Sequence, residues 1–308
     1  MIRAIIGANP GFLLSTLEYS NVYPDDKFFI IFKEELPGGS WKFNTKENDT
    51  YYANHFFCSN KERKIKKFIE LNLKYFDMKL NEIEDKYIYV PNTKYIDYKF
   101  YTFNKPVPFW INKIYEQIIK KDNITLLNNS LIKNLRILNN KITIEFLDKN
   151  NILNKLDCDK IYFTRNTLFD KIFVNDDIFY PKIHKANYIH EFFKINIIPK
   201  FHLVINSKEN PKLGLIQYLN KINEKNIIVC RYSNDNKLEK DELEIELREL
   251  LKLPSLKILQ RKKIINHSRL GTMNYRELLK LIEKNNININ NIEIILDDNS
   301  VIDDFILD

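Results

Sequence analysis

The glycines that could admit a phosphate group lie in the first forty residues. Of only six glycines in the 308 residues, four are found there: Gly7, Gly11, Gly38 and Gly39. Glycine is required where a side chain would block a close approach or where the backbone has a positive φ. The apolar run 2–6 comes directly before Gly7, and a second apolar run ends at Phe32 after a helix-like segment. A strand, a glycine turn, a helix and a strand form the opening βαβ unit of dinucleotide-binding folds.

The turn Gly7-Ala8-Asn9-Pro10-Gly11 is the predicted contact with the phosphates of a dinucleotide. The full fingerprint has glycine at three places, for the tight turn, for the approach of the pyrophosphate and for helix–strand contact. Gly7 fills the first place, but Asn9 stands at the second and Phe12 at the third. Asparagine tolerates left-handed backbone angles better than most residues, so we expect Asn9 to keep the turn. Phe12 would push the helix off the strand or fill a pocket. A strand–turn–helix without a cofactor would leave the same pattern, so that alternative stays open.

The second strand of such a fold commonly ends in an acidic residue that binds the ribose hydroxyls. Here Phe32 stands near that place, and Glu34 and Glu35 follow it. A shifted turn would bring Glu34 within reach of the ribose, which makes Glu34 the candidate ligand. The alternative is that both glutamates are ordinary surface residues.

A Gly-Gly segment and a histidine come next. The segment Leu36-Pro37-Gly38-Gly39-Ser40-Trp41 is followed by His55, fourteen residues after Trp41. This order resembles flavoproteins of the amine-oxidase and UDP-galactopyranose mutase type. In that family a Gly-Gly segment follows the βαβ unit, and the mutases have a short histidine motif beside the flavin ring that Asn54-His55-Phe56-Phe57 is similar to. The resemblance implies cofactor contacts for Gly38, Gly39, Ser40 and Trp41 and a catalytic place near the ring for His55. A loop or core histidine is the alternative.

A second motif lies near the end of the chain. The octapeptide Ser268-Arg269-Leu270-Gly271-Thr272-Met273-Asn274-Tyr275 resembles the segment that precedes the last helix of the mutases. The resemblance implies that Leu270, Gly271 and Thr272 contact the cofactor and that Arg269 acts near the flavin or its phosphates. It also implies that the backbone at Ile132 contacts the adenine. A helix N-terminus after Gly271 would offer free N–H groups to an anion. A surface turn is the alternative for the octapeptide.

Hydrophobic periodicity places these motifs on an α/β fold. Apolar residues at helical spacing predict helices over 60–80, 109–121, 239–251 and 275–284, and runs between 180 and 232 predict a largely antiparallel sheet. We therefore expect a discontinuous Rossmann-like FAD/NAD(P)-binding domain and a second, mostly antiparallel β domain with helices. The Rossmann-like segments are 1–60, 122–170 and 256–308, and the substrate or cap domain comprises 61–121 and 171–255. The cleft between the domains is the expected ligand site.

The composition excludes several classes of protein. A hydrophobic content of 44% with 13% aromatic residues excludes a disordered chain. No run of eighteen apolar residues predicts a membrane span. The three widely separated cysteines, Cys58, Cys158 and Cys230, predict neither a disulfide framework nor a zinc site. The net charge of +7 is compatible with anionic ligands but does not by itself support a nucleic-acid partner. With no signal peptide visible, the expected compartment is the cytoplasm.

Together the motifs predict a flavin-dependent enzyme that binds FAD and acts on a small molecule, with a nucleotide sugar as the candidate substrate. The alternative is a non-catalytic relative that keeps the architecture, has lost the cofactor and acts as a binding or assembly protein. Phe12 and Phe32 motivate this alternative, because each stands where the dinucleotide fingerprint has another residue type. The reaction, the redox partner and the oligomeric state leave no signal in the sequence.

Overall fold

The computed structural model of the protein describes most of the chain. The described residues are 1–38, 57–83, 86–89, 98–103, 107–164, 167–182, 185–199, 203–206, 213–222, 225–233, 238–270 and 275–295.

Nineteen strands, five α-helices and a 3-10 helix at Ile289–Asn291 are found in these residues. In chain order the strands are β1 (Ile2–Ile6), β2 (Lys27–Ile31), β3 (Phe57–Ser59), β4 (Leu80–Glu82), β5 (Lys86–Tyr89), β6 (Lys99–Phe103), β7 (Ile124–Leu127), β8 (Leu131–Leu138), β9 (Lys141–Leu147), β10 (Leu153–Cys158), β11 (Lys160–Thr164), β12 (Lys171–Val174), β13 (Asp177–Phe179), β14 (Lys185–Ile195), β15 (Leu203–Asn206), β16 (Leu215–Ile222), β17 (Lys225–Ser233), β18 (Ile258–Leu270) and β19 (Ile292–Ile295). The α-helices are α1 (Pro10–Val22), α2 (Glu62–Phe76), α3 (Val107–Ile118), α4 (Lys240–Leu251) and α5 (Tyr275–Lys284).

A five-stranded parallel sheet forms the centre of the fold. Its strands lie in the order β19-β11-β1-β2-β7, and every neighbouring pair is parallel. These strands are short apolar runs because both faces of a parallel sheet are covered. From β1 the chain crosses to β2 on one side, whereas β11 pairs with β1 on the other. The order therefore reverses between β1 and β11, and open parallel sheets bind ligands at the carboxyl ends of their strands at such a point.

Helices α1, α2 and α3 cover one face of this sheet. Ile5 of β1 and Phe28 of β2 point into a buried cluster with Phe12 of α1, Phe68 of α2 and Trp110 of α3. Burying a large apolar side chain of this kind stabilises the fold by about 1.5–3 kcal/mol.

A second, five-stranded sheet and α5 cover the other face. The order of this sheet is β10-β9-β8-β12-β13. Its inward side chains, such as Ile144, pack with Ala4 of β1, Ile161 of β11 and Leu278 of α5. Because successive side chains of a strand point to opposite faces, Ala4 and Ile5 face different layers. The parallel sheet is thus buried between two layers.

The remaining strands form a six-stranded sheet, β18-β14-β17-β16-β15-β5, and a three-stranded sheet, β3-β6-β4. The six-stranded sheet is antiparallel except for the pair β15–β5, and α4 packs on it through Leu243 and Leu247. The antiparallel sheet expected between residues 180 and 232 is present as β14–β17.

The predicted division into two domains stays a prediction. Three groups of elements have contacts with a part of the fold to which the prediction did not assign them. Strand β18, inside the predicted Rossmann-like segment 256–308, pairs with β14 in the six-stranded sheet. Strands β12 and β13, inside the predicted cap segment 171–255, extend the sheet that covers the parallel strands. Helices α2 and α3, inside the predicted cap segment 61–121, pack on the parallel sheet itself. Pairing and burial between distant segments decide these positions, and sequence periodicity carries no signal for them.

Glu145 of β9 is the centre of a polar network on the outer face of the second sheet. Its side chain is only 4% exposed. Its carboxylate accepts hydrogen bonds from Asn134 Nδ2 at 2.7 Å and Arg136 Nε at 2.9 Å, and Lys155 Nζ lies 3.3 Å away. Burial alone would raise the pKa of Glu145, but the bonds from Arg136, Asn134 and Lys155 outweigh it and lower that pKa to about 2.

We expect Glu145→Gln to lower the free energy of unfolding at neutral pH by about 1–3 kcal/mol, because it leaves Arg136 and Lys155 without their carboxylate. The pKa of Glu145 is lower in the folded protein than its ordinary value of 4.5. Its contribution is therefore complete above about pH 4.5 and is lost as the pH falls toward about 2. Denaturant unfolding of both proteins across this range measures the difference, which should shrink in acid.

Asp157→Asn is the matched control for this experiment. Asp157 lies on the same outer face, paired with Lys141, but its side chain is 55% exposed. The change should alter the free energy of unfolding by no more than about 0.5 kcal/mol. A Glu145→Gln deficit that stays constant from neutral pH to pH 2 would contradict the assignment.

Candidate functional site

The turn after β1 is built on Gly7. Its φ is +102°, a backbone angle that residues with a side chain rarely adopt. The Gly7 N–H donates to the carbonyl of Ile31 at 2.8 Å, which ties the turn to the end of β2. Among the described residues, no atom beyond the two chain neighbours lies within 4 Å of a Cβ added at Gly7. The backbone is therefore fixed in place, and the described residues leave the space at this Cβ open.

Asn9 keeps the turn in a different way from the one expected. Its φ of −68° and ψ of 154° are extended, so the left-handed angles predicted for it are wrong. Asn9 is the N-cap of α1, and its Oδ1 accepts the N–H of Phe12 at 2.8 Å. Asparagine is among the best N-cap residues, because its side chain satisfies an N–H that the helix leaves free. Pro10 follows at the first helical position, where a missing N–H costs nothing.

Three backbone N–H groups of this turn have no partner among the described residues: those of Ala8, Asn9 and Gly11. Ala8 is only 5% exposed, and Gly11 is buried. Buried N–H groups without a partner are rare in proteins, and each calls for an explanation. Here the positive end of the α1 dipole adds to them, so the turn is suited to a bound anion.

Two phenylalanines that depart from the dinucleotide fingerprint belong to the core. Phe12 is fully buried and Phe32 is 3% exposed, and both lie in the cluster between the helices and the parallel sheet. The backbone of Phe32 is held on both sides, since its N–H donates to the carbonyl of Leu127 at 3.0 Å and its carbonyl accepts from Ser130 at 2.9 Å. Phe12 therefore fills the helix–sheet contact, and Phe32 cannot reach a ribose.

The loop after β2 returns to the first turn. Gly38, with φ of +117°, donates its N–H to the carbonyl of Ala8 at 2.8 Å. The exposed residues before it are tied to the loop after β7: the carbonyl of Glu34 accepts from the N–H of Asn129 at 3.2 Å, and that of Glu35 accepts from Asn128 Nδ2 at 3.0 Å. Glu34 thus has a fixed backbone and an exposed side chain beside the carboxyl ends of β2 and β7. The hydrogen bonds that Asn128 and Asn129 make to this loop were not predicted from the sequence; the φ of +51° at Asn129 marks the tight turn.

Ile132 lies in β8 and is 9% exposed. It pairs with Phe146 of β9 on the side that faces the parallel sheet. It follows the 128–130 loop directly, so its backbone is close to the carboxyl end of β7.

Helix α5 runs between the two edges of the parallel sheet. Just after α5, the N–H of Asn288 donates to Asn140 Oδ1 at 2.8 Å. Asn140 lines a pocket with Met1, Asp159 and Asn291, which stand at the amino ends of β1, β11 and β19. The end of α5 therefore lies at the amino edge of the sheet. A helix of ten residues is about 15 Å long, close to the length of a five-residue strand, so its start at Tyr275 lies at the carboxyl edge.

The remaining predicted site residues have a limited description. His55, Gly39, Ser40, Trp41, Gly271 and Thr272 lie outside the described residues. Arg269 and Leu270 are described by their backbone at the end of β18, paired with Ala186 and Lys185. Five chain steps from Leu270 to Tyr275 span at most about 18 Å. The roles predicted for these eight residues stay predictions.

Glu18 anchors α1 to the neighbouring helix α2. Its side chain is 8% exposed, and its carboxylate lies 3.2 Å from Lys67 Nζ and 3.0 Å from Lys74 Nζ. The hydroxyl of Tyr75 also donates to it. Burial alone would raise the pKa of Glu18, but the hydrogen bonds from Tyr75, Lys74 and Lys67 outweigh it, so that this pKa lies below its usual value. The helix that carries the turn is thereby fixed on its outer side.

Other site types are not supported in the described part of the chain. The pocket lined by Met1, Asn140 and Asp159 has a volume of about 550 Å³, but it lies at the amino ends of the parallel strands, away from the glycine turn. Among the described residues, no group of three or more His, Cys, Asp or Glu side chains could hold a metal ion. None of the described helices combines the length and the apolar character needed to cross a bilayer.

We expect Gly7→Ala to destabilise the fold by about 1–3 kcal/mol, the cost of holding a residue with a side chain in a sparsely populated backbone region. Because the added methyl group would touch nothing within 4 Å, the loss comes from the backbone angle alone. Chemical unfolding of the variant without ligand measures it. A variant as stable as the wild type would contradict the positive φ at Gly7.

No family model matches the sequence, and no curated protein matches it. Solved structures are similar over nearly the whole chain. A proposed protoporphyrinogen oxidase from Exiguobacterium sp. 255-15 is 7% identical, with a TM-score of 0.62 over 99% of this chain and 96% of that one. Putrescine oxidase bound to putrescine is 8% identical, with a TM-score of 0.59 over 96% and 93%. A fatty acid isomerase from P. acnes is 10% identical, with a TM-score of 0.56 over 98% and 95%.

At these identities the likeness concerns the fold. The predicted fold class, a Rossmann-like FAD/NAD(P)-binding sheet with a second, mostly antiparallel β domain, is confirmed by the strand order and by these similar structures. The protein therefore has the fold of the FAD-dependent oxidoreductases.

Proposed function

We propose that this protein is a flavin-dependent enzyme that binds FAD at the carboxyl edge of its parallel sheet. The observation that carries the proposal is the turn after β1. The N–H groups of Ala8, Asn9 and Gly11, which have no partner among the described residues, follow Gly7 next to the point where the strand order reverses. Such a turn fits the diphosphate of a dinucleotide. The fold shared with FAD-dependent oxidoreductases supports flavin as the group by analogy only.

Different residues of the chain would bind different parts of the cofactor. The turn from Gly7 to Gly11 would hold the diphosphate, the exposed carboxylate of Glu34 would bind the ribose, and the backbone at Ile132 would contact the adenine. Bound FAD would supply the electron-transfer chemistry, and the protein would orient it.

A second set of residues would complete the site around the flavin. Its proposed members are Gly38, Gly39, Ser40 and Trp41 after β2, and Leu270, Gly271 and Thr272 before α5. His55 and Arg269 would lie near the ring. The direction of α5 supports this part of the proposal, because the helix begins at Tyr275, the last residue of the second motif, at the carboxyl edge.

Within this class we propose a nucleotide sugar as the substrate. The support is the similarity of Ser268–Tyr275 and Asn54–Phe57 to the mutase motifs. Amine-oxidase-type chemistry on another small molecule is the second candidate. Neither a membrane nor a nucleic acid is proposed as a partner, and the cytoplasm remains the proposed compartment.

The purified protein, or the protein incubated with FAD and freed of excess, is expected to show flavin absorption in the blue at about one FAD per chain. A protein that stays colourless after incubation with FAD would overturn the proposal. That result would favour a cofactor-free binding or assembly protein, which the buried Phe12 and Phe32 would then explain.

The substrate proposal has its own test on the FAD-loaded protein. Adding UDP-galactose should perturb the flavin spectrum with saturation, whereas galactose at the same concentration should not, because only the former carries a diphosphate. Putrescine serves as the amine comparison. A response to putrescine and none to UDP-galactose would favour the amine-oxidase candidate.

A further inference from the structure

The side chain of Asn9 places an amide oxygen where a phosphate oxygen would otherwise accept. Its Oδ1 takes the N–H of Phe12, the third residue of α1, at 2.8 Å. Pro10 has no N–H to offer, and the N–H of Leu13 donates to the carbonyl of Asn9 at 3.0 Å. Of the N–H groups at this helix end, those of Asn9 and Gly11 have no partner among the described residues and are available to a ligand. The hydrogen-bond donors of the helix end are therefore only partly satisfied by the N-cap residue.

We propose that Asn9 sets the nucleotide affinity of this site, because its carboxamide competes with the diphosphate for the N-terminus of α1. The inference rests on the proposed function. Among the described residues, no atom beyond the chain neighbours lies within 4 Å of a Cβ at Gly7, and the N–H groups of Ala8, Asn9 and Gly11 have no acceptor, so the backbone does not oppose the ligand. The Asn9 side chain opposes the ligand, because its Oδ1 already accepts the N–H of Phe12 and would lie against the phosphate oxygens.

Two substitutions separate the capping role from the competing role. Asn9→Gly removes the competing oxygen, and glycine replaces a capping side chain at a cost of only a few tenths of a kcal/mol. Asn9→Asp keeps the capping oxygen and adds a negative charge, which a helix N-terminus favours but a diphosphate does not. A purely structural Asn9 would change ligand affinity and stability in the same direction. A competing Asn9 changes them in opposite directions.

The experiment uses the full chain and three probes: ADP, FAD and adenosine. Calorimetric titration gives the dissociation constants, and denaturant unfolding without ligand gives the stability. We expect Asn9→Gly to bind ADP and FAD about fivefold more tightly, the worth of one freed hydrogen-bond donor. We expect Asn9→Asp to bind them at least about tenfold more weakly, through repulsion of like charges.

The free energy of unfolding should change in the opposite direction from the affinity. Asn9→Asp should be at least as stable as the wild type, and Asn9→Gly should be slightly less stable. Adenosine, which has no phosphate, should bind all three proteins alike or not at all. Added salt should narrow the gap between Asn9→Asp and the wild type, because the penalty is electrostatic.

The outcomes distinguish this inference from the proposed function. If the wild type binds FAD and both variants bind it equally well, Asn9 sets no affinity and the inference is wrong, while the proposed function stands. If ADP affinity follows the expected order but no protein binds FAD, the inference stands and the flavin proposal fails. If neither the wild type nor Asn9→Gly binds ADP, the inference is overturned as well.

Discussion

The positive φ of Gly7 is the constraint on which the candidate site depends. It lets the chain leave β1, donate the Gly7 N–H to Ile31 at the end of β2 and begin α1 within three residues. Gly38, also at positive φ, returns the loop after β2 to Ala8. That loop is in turn bonded to the loop after β7 through the carbonyl of Glu34. Three loops are thus joined at one edge of the sheet by backbone hydrogen bonds.

The parts of the fold that the sequence predicted are those with a local signal. The apolar strand, the glycine turn and the following helix are adjacent in the chain, and the structure has them as β1, Gly7 and α1. Helix α5 was expected over 275–284 and occupies Tyr275–Lys284, because its apolar residues repeat at helical spacing over its whole length. Among the candidate site residues, the turn from Gly7 to Gly11 also has a local signal, because it lies directly between the apolar strand and the helix.

What the sequence did not predict depends on contacts between distant segments. Strand β19 has only four residues and is preceded by two asparagines, and it becomes a strand by pairing with β11, more than a hundred residues earlier. The register that places β18 beside β14 is equally non-local. The error at Asn9 has a different origin. An asparagine side chain can either accompany a left-handed backbone or bond to a neighbouring N–H, and the composition of the turn does not tell which. Because α1 begins at Pro10, the Asn9 side chain bonds to a neighbouring N–H.

The two buried phenylalanines determine what kind of recognition this edge can provide. Phe12 and Phe32 belong to the core, so the place that the fingerprint uses for helix–strand contact and the place near its ribose ligand are both committed to packing. Recognition then falls to backbone N–H groups, which attract negative charge but do not distinguish one nucleotide from another. Any preference for adenosine would have to come from the loop that carries Glu34, whose backbone is fixed by Asn129 while its side chain stays exposed. The proposed diphosphate contact and the proposed adenosine contact therefore lie on different loops, which the hydrogen bond from Gly38 to Ala8 joins.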